Sequence, residues 1–212
     1  MKPGADPGLA FDRRAIARAF GRASPGYDAA ARLQAEVRAE QLQRLGHFAL
    51  APRVVIDAGA GTGAASVALA RRFPDATVVA VDLAHGMLRQ AGERLGLGAR
   101  LSGGRFGRRF ERLGGDVHQL PLVDGCAQLV FSNLMLQWSD ALDTALAELH
   151  RVLAPGGMLT FTTFGPDTLR ELREAWQAVD DAPHVSPFVD MHDLGSALAR
   201  AGFVEPVLDV DR

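Results

Sequence analysis

Seven residues, Asp57-Ala58-Gly59-Ala60-Gly61-Thr62-Gly63, constrain this chain more than any others, because they place glycine at every second position between two stretches of opposite character. Upstream, residues 53–58 (RVVIDA) are a short β-branched run. Downstream, residues 64–72 have helical composition, and Pro74 stops them. A strand that turns through glycines into a helix is the opening unit of a parallel sheet, and it presents bare backbone to a ligand at the helix start. Glycine suits the turn because it accepts left-handed backbone and puts no Cβ in the ligand's way.

The alternation continues along the chain. Strands are expected at 77–82, 128–132 and 158–164, with helices at 85–95, from Ser139 to about 153, from Pro166 to about 179, and at 191–201. Ser139 is expected to cap its helix, with Asp140 and Asp143 in the first turn where negative charge suits the dipole. Residues 12–48 are helical in composition, interrupted at Ser24-Pro25-Gly26. Residues 203–210 read as one more strand. Strand and helix in strict alternation predict an α/β fold, a mostly parallel sheet with helices on both faces.

Composition excludes several classes. No apolar run approaches the roughly 20 residues that span a bilayer, and the N-terminus lacks the apolar core of a secretory signal. Cys126 is the only cysteine, so no intrachain disulfide forms and a cytoplasmic location is expected. A net charge of −2 points away from nucleic acid. Its distribution is uneven: between Gly86 and Gly115 lie Arg89, Arg94, Arg100, Arg105, Arg108, Arg109 and Arg112 against only Glu93 and Glu111. That stretch reads either as a solvated loop face or as a docking patch for an acidic partner. The histidines have no metal-ligand spacing, so no metal is expected.

The glycine loop alone leaves two ligands open. Gly59, Gly61 and Ala64 also fit the dinucleotide pattern G-x-G-x-x-G/A, and Asp82 ends the second strand where either cofactor class presents a ribose. Asp57 shifts the balance, since a carboxylate just before the glycines repels a pyrophosphate but suits ammonium and sulfonium charge. Asp116, in Gly115-Asp116-Val117, stands near the end of a third strand, where an acid can accept from an adenine amino group. S-adenosylmethionine fits these acids better than a dinucleotide.

With those residues in view, the chain resembles the class I methyltransferases through IDAGAGTG (56–63), VVAVDL (78–83), GDVHQLPL (115–122) and RVLAPGGML (151–159). Within them it resembles the malonyl-acyl-carrier-protein O-methyltransferases of biotin synthesis. The segments that carry this narrower likeness are AFGRASPGYDAAARLQ (19–34), LVFSNLMLQWSDAL (129–142), TLRELREAWQAVDDAPHVSPF (168–188) and MHDLGSALARAGF (191–203). Three departures stand out: Gly21 where an acid is usual, Ala60 where cysteine is common, and a longer Arg-rich connection around 100–112.

The resemblance implies a Rossmann-like class I methyltransferase fold, with residues 1–50 as a helical lid segment and 51–212 as the cofactor-binding domain. The family's sheet ends in an antiparallel strand pair, of which 203–210 supplies one member, so the C-terminal pair is expected to be truncated. Activity would be methyl transfer from S-adenosylmethionine to the free carboxylate of malonyl-acyl carrier protein or malonyl-coenzyme A, without a catalytic acid or base. Gly59, Gly61 and Gly63 would pass the backbone around the cofactor, with Asp57 near its amino acid end. Asp82 would hold the ribose, Leu83 and Met87 would pack the adenine, Asp116 and Val117 would border its edge, and Asn133 would lie below. Tyr27 and Trp138 are candidate walls of the substrate pocket, and Arg22 the candidate cation for the substrate carboxylate, with Arg170 and Arg173 as alternatives. Acyl carrier protein would dock on Arg105, Arg108, Arg109 and Arg112. A related group of arginine hydroxylases, another small-molecule methyltransferase, and an assembly protein with a vestigial pocket remain competing readings.

Overall fold

A computed structural model describes residues 12–101, 110–180, 184–185 and 188–211 of the 212-residue chain. The N-terminal section forms α1 (Arg13–Ala23), a short α2 (Tyr27–Ala30) and α3 (Arg32–Arg44). Asp12 caps α1 by accepting from the Arg14 N–H, and the Ser24-Pro25-Gly26 interruption falls between α1 and α2, where the sequence places it.

The sheet then begins with β1 (Val54–Ala58), followed by α4 (Ala64–Arg72), β2 (Thr77–Asp82), α5 (His85–Leu101), β3 (Phe110–Gly114) and β4 (Ala127–Asn133). α6 (Leu142–Val152), β5 (Leu153–Thr162), α7 (Arg170–Gln177) and α8 (Met191–Arg200) complete the strands and α-helices among the described residues. All five strands are parallel, in the order β3-β2-β1-β4-β5. The order reverses between β1 and β4, the position where open parallel sheets bind ligands at the strands' carboxyl ends.

Alternation along each strand divides the core between two faces. Val55, Val78, Leu129 and Phe131 pack with Ala65 and Leu69 of α4 and with Leu45 just after α3. Ile56, Ala58, Val81 and Val130 pack on the other face with Leu146, Leu149 and Val152 of α6 and Ala197 and Leu198 of α8. Helices therefore cover both faces, as the alternation predicts.

Three expectations need correction. Residues 203–210 form no strand: Val204 and Val207 are 85% and 93% exposed, and Asp209 and Asp211 are drawn to Arg44 at 3.0 and 2.8 Å. The β-branched alternation there is only half of what a strand needs, because among the described residues no neighbouring strand pairs with it. Ser139 does not cap α6, which starts three residues later from Ala141, and its hydroxyl instead accepts from the Ala141 N–H at 3.2 Å. The helix expected from Pro166 begins only at Arg170, after Leu169 takes a left-handed φ of 57°. Among the described residues no helix is long and apolar enough to cross a membrane.

Candidate active site

The carboxyl ends of β1, β2 and β4 open into a cleft roofed by the N-terminal helices. Its floor is the glycine loop. Gly59 and Gly61 hold φ angles of +76° and +55°, which residues with a Cβ rarely adopt, and a Cβ on Gly61 would project into open space. That opening is the room a ligand needs to lie against the backbone.

Asp82, the last residue of β2, faces the floor. Its Oδ2 accepts from the Gly61 N–H at 2.8 Å and its Oδ1 from the Ala84 N–H at 2.7 Å. Each oxygen retains a further lone pair for ligand hydroxyls. Burial pushes the Asp82 pKa up, against the pull of those two N–H groups. The open glycine backbone and this fixed acceptor together fit a ribose-bearing cofactor.

Leu83, Met87, Asp116, Val117, Asn133, Tyr27 and Trp138 line the same cleft as Gly59, Gly61 and Asp82. Asn133 does so as a staple, its Nδ2 donating to the Gln34 carbonyl of α3 at 3.0 Å while its Oδ1 accepts from Thr162 at 3.1 Å. Phe20 of α1 holds the aromatic wall edge-on, with ring centroids 6.1 Å from Tyr27 and 5.3 Å from Trp138.

Three of the expected residues stand elsewhere. Gly63 is buried behind the loop at the start of α4, against Ala91. Asp57 is buried beneath the floor, where the Ser66 hydroxyl of α4 donates to its Oδ2. Its side chain shares the face of Val55, because strand positions two apart point the same way. Arg22 is exposed and outside the cleft, since α1 turns Arg13, Ile16 and Phe20 inward and a position two past Phe20 is about 200° round the helix. The alternative cations are held locally, Arg170 by Asp167 and Arg173 by the Pro166 and Thr168 carbonyls.

Sequence reading missed a charged cluster at one end of the cleft. Arg13 of α1 reaches Asp116 at 3.1 Å and Asp140 at 2.8 Å. His118 lies between, its Nδ1 2.6 Å from Asp116 Oδ1 and its Nε2 2.7 Å from Ser139 Oγ. Burial alone would raise Asp116, but the His118 N–H and ring and the Arg13 charge outweigh it and hold the carboxyl below its ordinary range. The hydrogen bond from Arg13 does the same for Asp140. The cluster thus ties α1 to the loops after β3 and β4. Its only sequence signal is an arginine at the first position of an apolar helical stripe.

Burial pushes Asp57 the other way, up to about 7 against an ordinary 3.8, with the Ser66 hydrogen bond opposing and Asp82 adding to the rise. A carboxyl that holds its proton longer in the fold than in the unfolded chain makes stability fall as pH rises between the two values. Relative to D57N, the wild-type protein should therefore lose up to about 1.4 kcal/mol per pH unit from pH ~4 to ~7, with no further divergence above. Denaturant melts at several pH values measure the difference, and parallel curves for the two proteins would refute it.

The cleft's residues coincide with a known sequence pattern. Residues 56–161 match the family model of a methyltransferase domain. A malonyl-[acyl-carrier protein] O-methyltransferase from Nitrosospira multiformis is 47% identical over 208 residues, covering 95% of this chain and 68% of its own length. Its counterpart from Methylovorus is 48% identical over 95% of this chain and 67% of its own length. The chain belongs to this family. It spans about two thirds of the length of these relatives. Among solved structures, an S-adenosylmethionine-dependent methyltransferase from Thermotoga maritima superposes with a TM-score of 0.64 at 21% identity, covering 89% of this chain and 81% of that one, a likeness of fold. The span that matches the methyltransferase-domain model, residues 56–161, contains the glycine loop, Asp82, Asp116 and Asn133, whereas Arg13, Phe20 and Tyr27 come from the helices that precede it.

Proposed function

We propose that this protein transfers a methyl group from S-adenosylmethionine to the free carboxylate of malonyl-acyl carrier protein, giving a methyl ester. The observation that carries the reading is the 47% identity to a malonyl-[acyl-carrier protein] O-methyltransferase across 95% of the chain. The cleft supports it, with an acceptor for a ribose at one place and an aromatic wall at another.

Bound S-adenosylmethionine supplies a methyl group made electrophilic by its sulfonium. The chain's own work is then positional. Asp82 and the Gly59–Gly61 backbone hold the cofactor's ribose side, Leu83 and Met87 flank the base, and Asp116 and Val117 border its edge. A malonyl carboxylate is ionised at neutral pH, so no residue need remove a proton. Phe20, Tyr27 and Trp138 exclude water from the path between donor and acceptor, which strengthens charge attraction and favours in-line approach. Residues 1–50 act as the lid and 51–212 as the cofactor domain.

Mass spectrometry of malonyl-acyl carrier protein incubated with the protein and S-adenosylmethionine should show one added methyl on the acyl group. Binding of cofactor with no such gain would sink the reading. The basic stretch is the proposed docking surface for the acidic carrier. Arg112 is exposed on β3, donating to the Leu88 carbonyl at 3.2 Å, whereas Arg105, Arg108 and Arg109 lie outside the described residues. Reversing the charges of Arg105, Arg108 and Arg109 should raise KM for the carrier substrate roughly ten-fold, leave cofactor affinity alone, and be mimicked by salt. Unchanged kinetics would make the stretch an ordinary solvated face.

A further inference from the structure

We infer that Arg38 anchors the amino acid end of the cofactor, its guanidinium holding the carboxylate of S-adenosylmethionine. The inference rests on the cofactor reading above and adds to it a residue outside the glycine loop and the strand ends.

Position comes first. Gln34, Arg38 and Gln41 are spaced four and three apart and share one face of α3. That face is fixed on both sides of Arg38. The Gln34 carbonyl accepts from Asn133 at 3.0 Å, and Gln41 Nε2 donates to the Ser132 carbonyl at 3.2 Å and to Thr160 Oγ1 at 3.3 Å. Arg38 therefore stands over the carboxyl end of β4. It is half-buried and within electrostatic reach of Asp57 at the end of β1, and of Asp28 and Tyr27 on the roof.

The acids within reach are already taken. Asp28 accepts from the Thr62 hydroxyl at 2.7 Å and pairs with Arg94. Asp57 is sealed beneath the floor, bonded to Ser66, and held toward its neutral form by burial. Among the described residues Arg38 makes no hydrogen bond or ion pair, although a planar guanidinium carries five donors. Burial, and then the charge of Arg94, hold its pKa below the usual arginine value, with Asp28 and Asp57 pulling the other way. Arg38 and Arg94 thus both lie within electrostatic reach of Asp28 beside the glycine loop, and Arg94 holds it. A partly desolvated guanidinium with spare donors is a site for an anion, and its fork matches a carboxylate.

Sheet order says which anion. Across β3-β2-β1-β4 the cleft presents Asp116, then Asp82, then the glycine loop, then Asn133. A ligand with its ribose on Asp82 and its base toward Asp116 must send its remaining arm across the glycines toward β4 and α3. In S-adenosylmethionine that arm ends in an ammonium and a carboxylate, and the carboxylate is the group Arg38 can hold.

The test is a ligand-and-variant cycle by titration calorimetry, using S-adenosylmethionine and decarboxylated S-adenosylmethionine, which lacks only the carboxylate. R38M should weaken the complete cofactor roughly ten-fold and leave the decarboxylated form within about two-fold, the loss of a charge-assisted bond seen by one ligand alone. R38K, keeping charge without the fork, should fall between. Ligand-free melts establish that the compared variants are folded, and if R38M is not, R38K decides by the same ratio. Equal weakening of both ligands would show a structural role and overturn the inference, as would affinities that do not change. If the wild-type protein binds neither ligand, the cofactor reading itself fails and Arg38 loses its role with it.

Discussion

Replacing Asp82 with alanine is expected to weaken S-adenosylmethionine about a hundred-fold or more while the sheet remains folded. The carboxylate does two things at once. It fixes the floor, accepting from the N–H groups of Gly61 at 2.8 Å and Ala84 at 2.7 Å, and in the proposed complex it would offer its remaining lone pairs to a ribose. Hydrogen bonds to a charged group contribute about 1.5–3 kcal/mol each, so losing the ligand's pair and loosening Gly61 removes about 3 kcal/mol or more of binding. D82N keeps one acceptor but turns an amide donor toward a donor, and should lose about ten-fold. Both variants should fold, because among the described residues the Asp82 side chain bonds only the Gly61 and Ala84 N–H groups, and its backbone pairing with β3 and the apolar core around Val81 are untouched. Calorimetric titration decides it. An alanine variant within about three-fold of wild type would mean that Asp82 shapes the loop and leaves the ligand to others.

What the sequence makes legible here is local. The glycine loop, the acid ending β2 and the acid after β3 are each set by a strand and the turn that follows, so a few adjacent residues define them. Asp57 misleads for the opposite reason. A strand buried on both faces has no polar alternation to show which way one side chain points, and only the packing of α4 reveals that it meets Ser66. The roof is harder still. Arg13 meets Asp116 and Asp140 across 103 and 127 residues of chain, and Phe20 meets Trp138 across a similar span. Nothing near either partner specifies such contacts, which exist only once α1 folds back over the strand ends. Arg22 illustrates the cost of reading proximity without phase: it neighbours Phe20 in sequence and lies on the opposite side of the helix.

The same dependence on packing makes Gly63 more demanding than its neighbours in the loop. A Cβ at Gly61 would meet open space, so substitution there tests ligand fit. A Cβ at Gly63 would lie 2.7 Å from the Ala91 Cβ and 3.0 Å from its Cα, in the first turn of α4 where it crosses α5. Its φ of +77° adds a second penalty that no repacking removes. Ala91 is fully buried, so α5 has no room to withdraw without disturbing β2 and β3 beneath it. The left-handed backbone costs about 1–2 kcal/mol for a residue with a Cβ and the overpacking about 1–3 kcal/mol, so G63V should lose about 2–5 kcal/mol of stability, a large share of a typical domain's total. G63A should lose somewhat less. The two penalties separate in a cycle of wild type, G63A, A91G and G63A/A91G. Measured against A91G, which carries the cost of a helical glycine, the double variant lacks the methyl contact at 2.7 Å and should lose less than G63A loses against wild type, while the backbone part remains. Urea melts of the four proteins measure both terms. If G63A alone were as stable as wild type, the helices would have a freedom to slide that the contact at Ala91 denies them, and the close crossing of α4 and α5 would not be what requires glycine at the end of the loop.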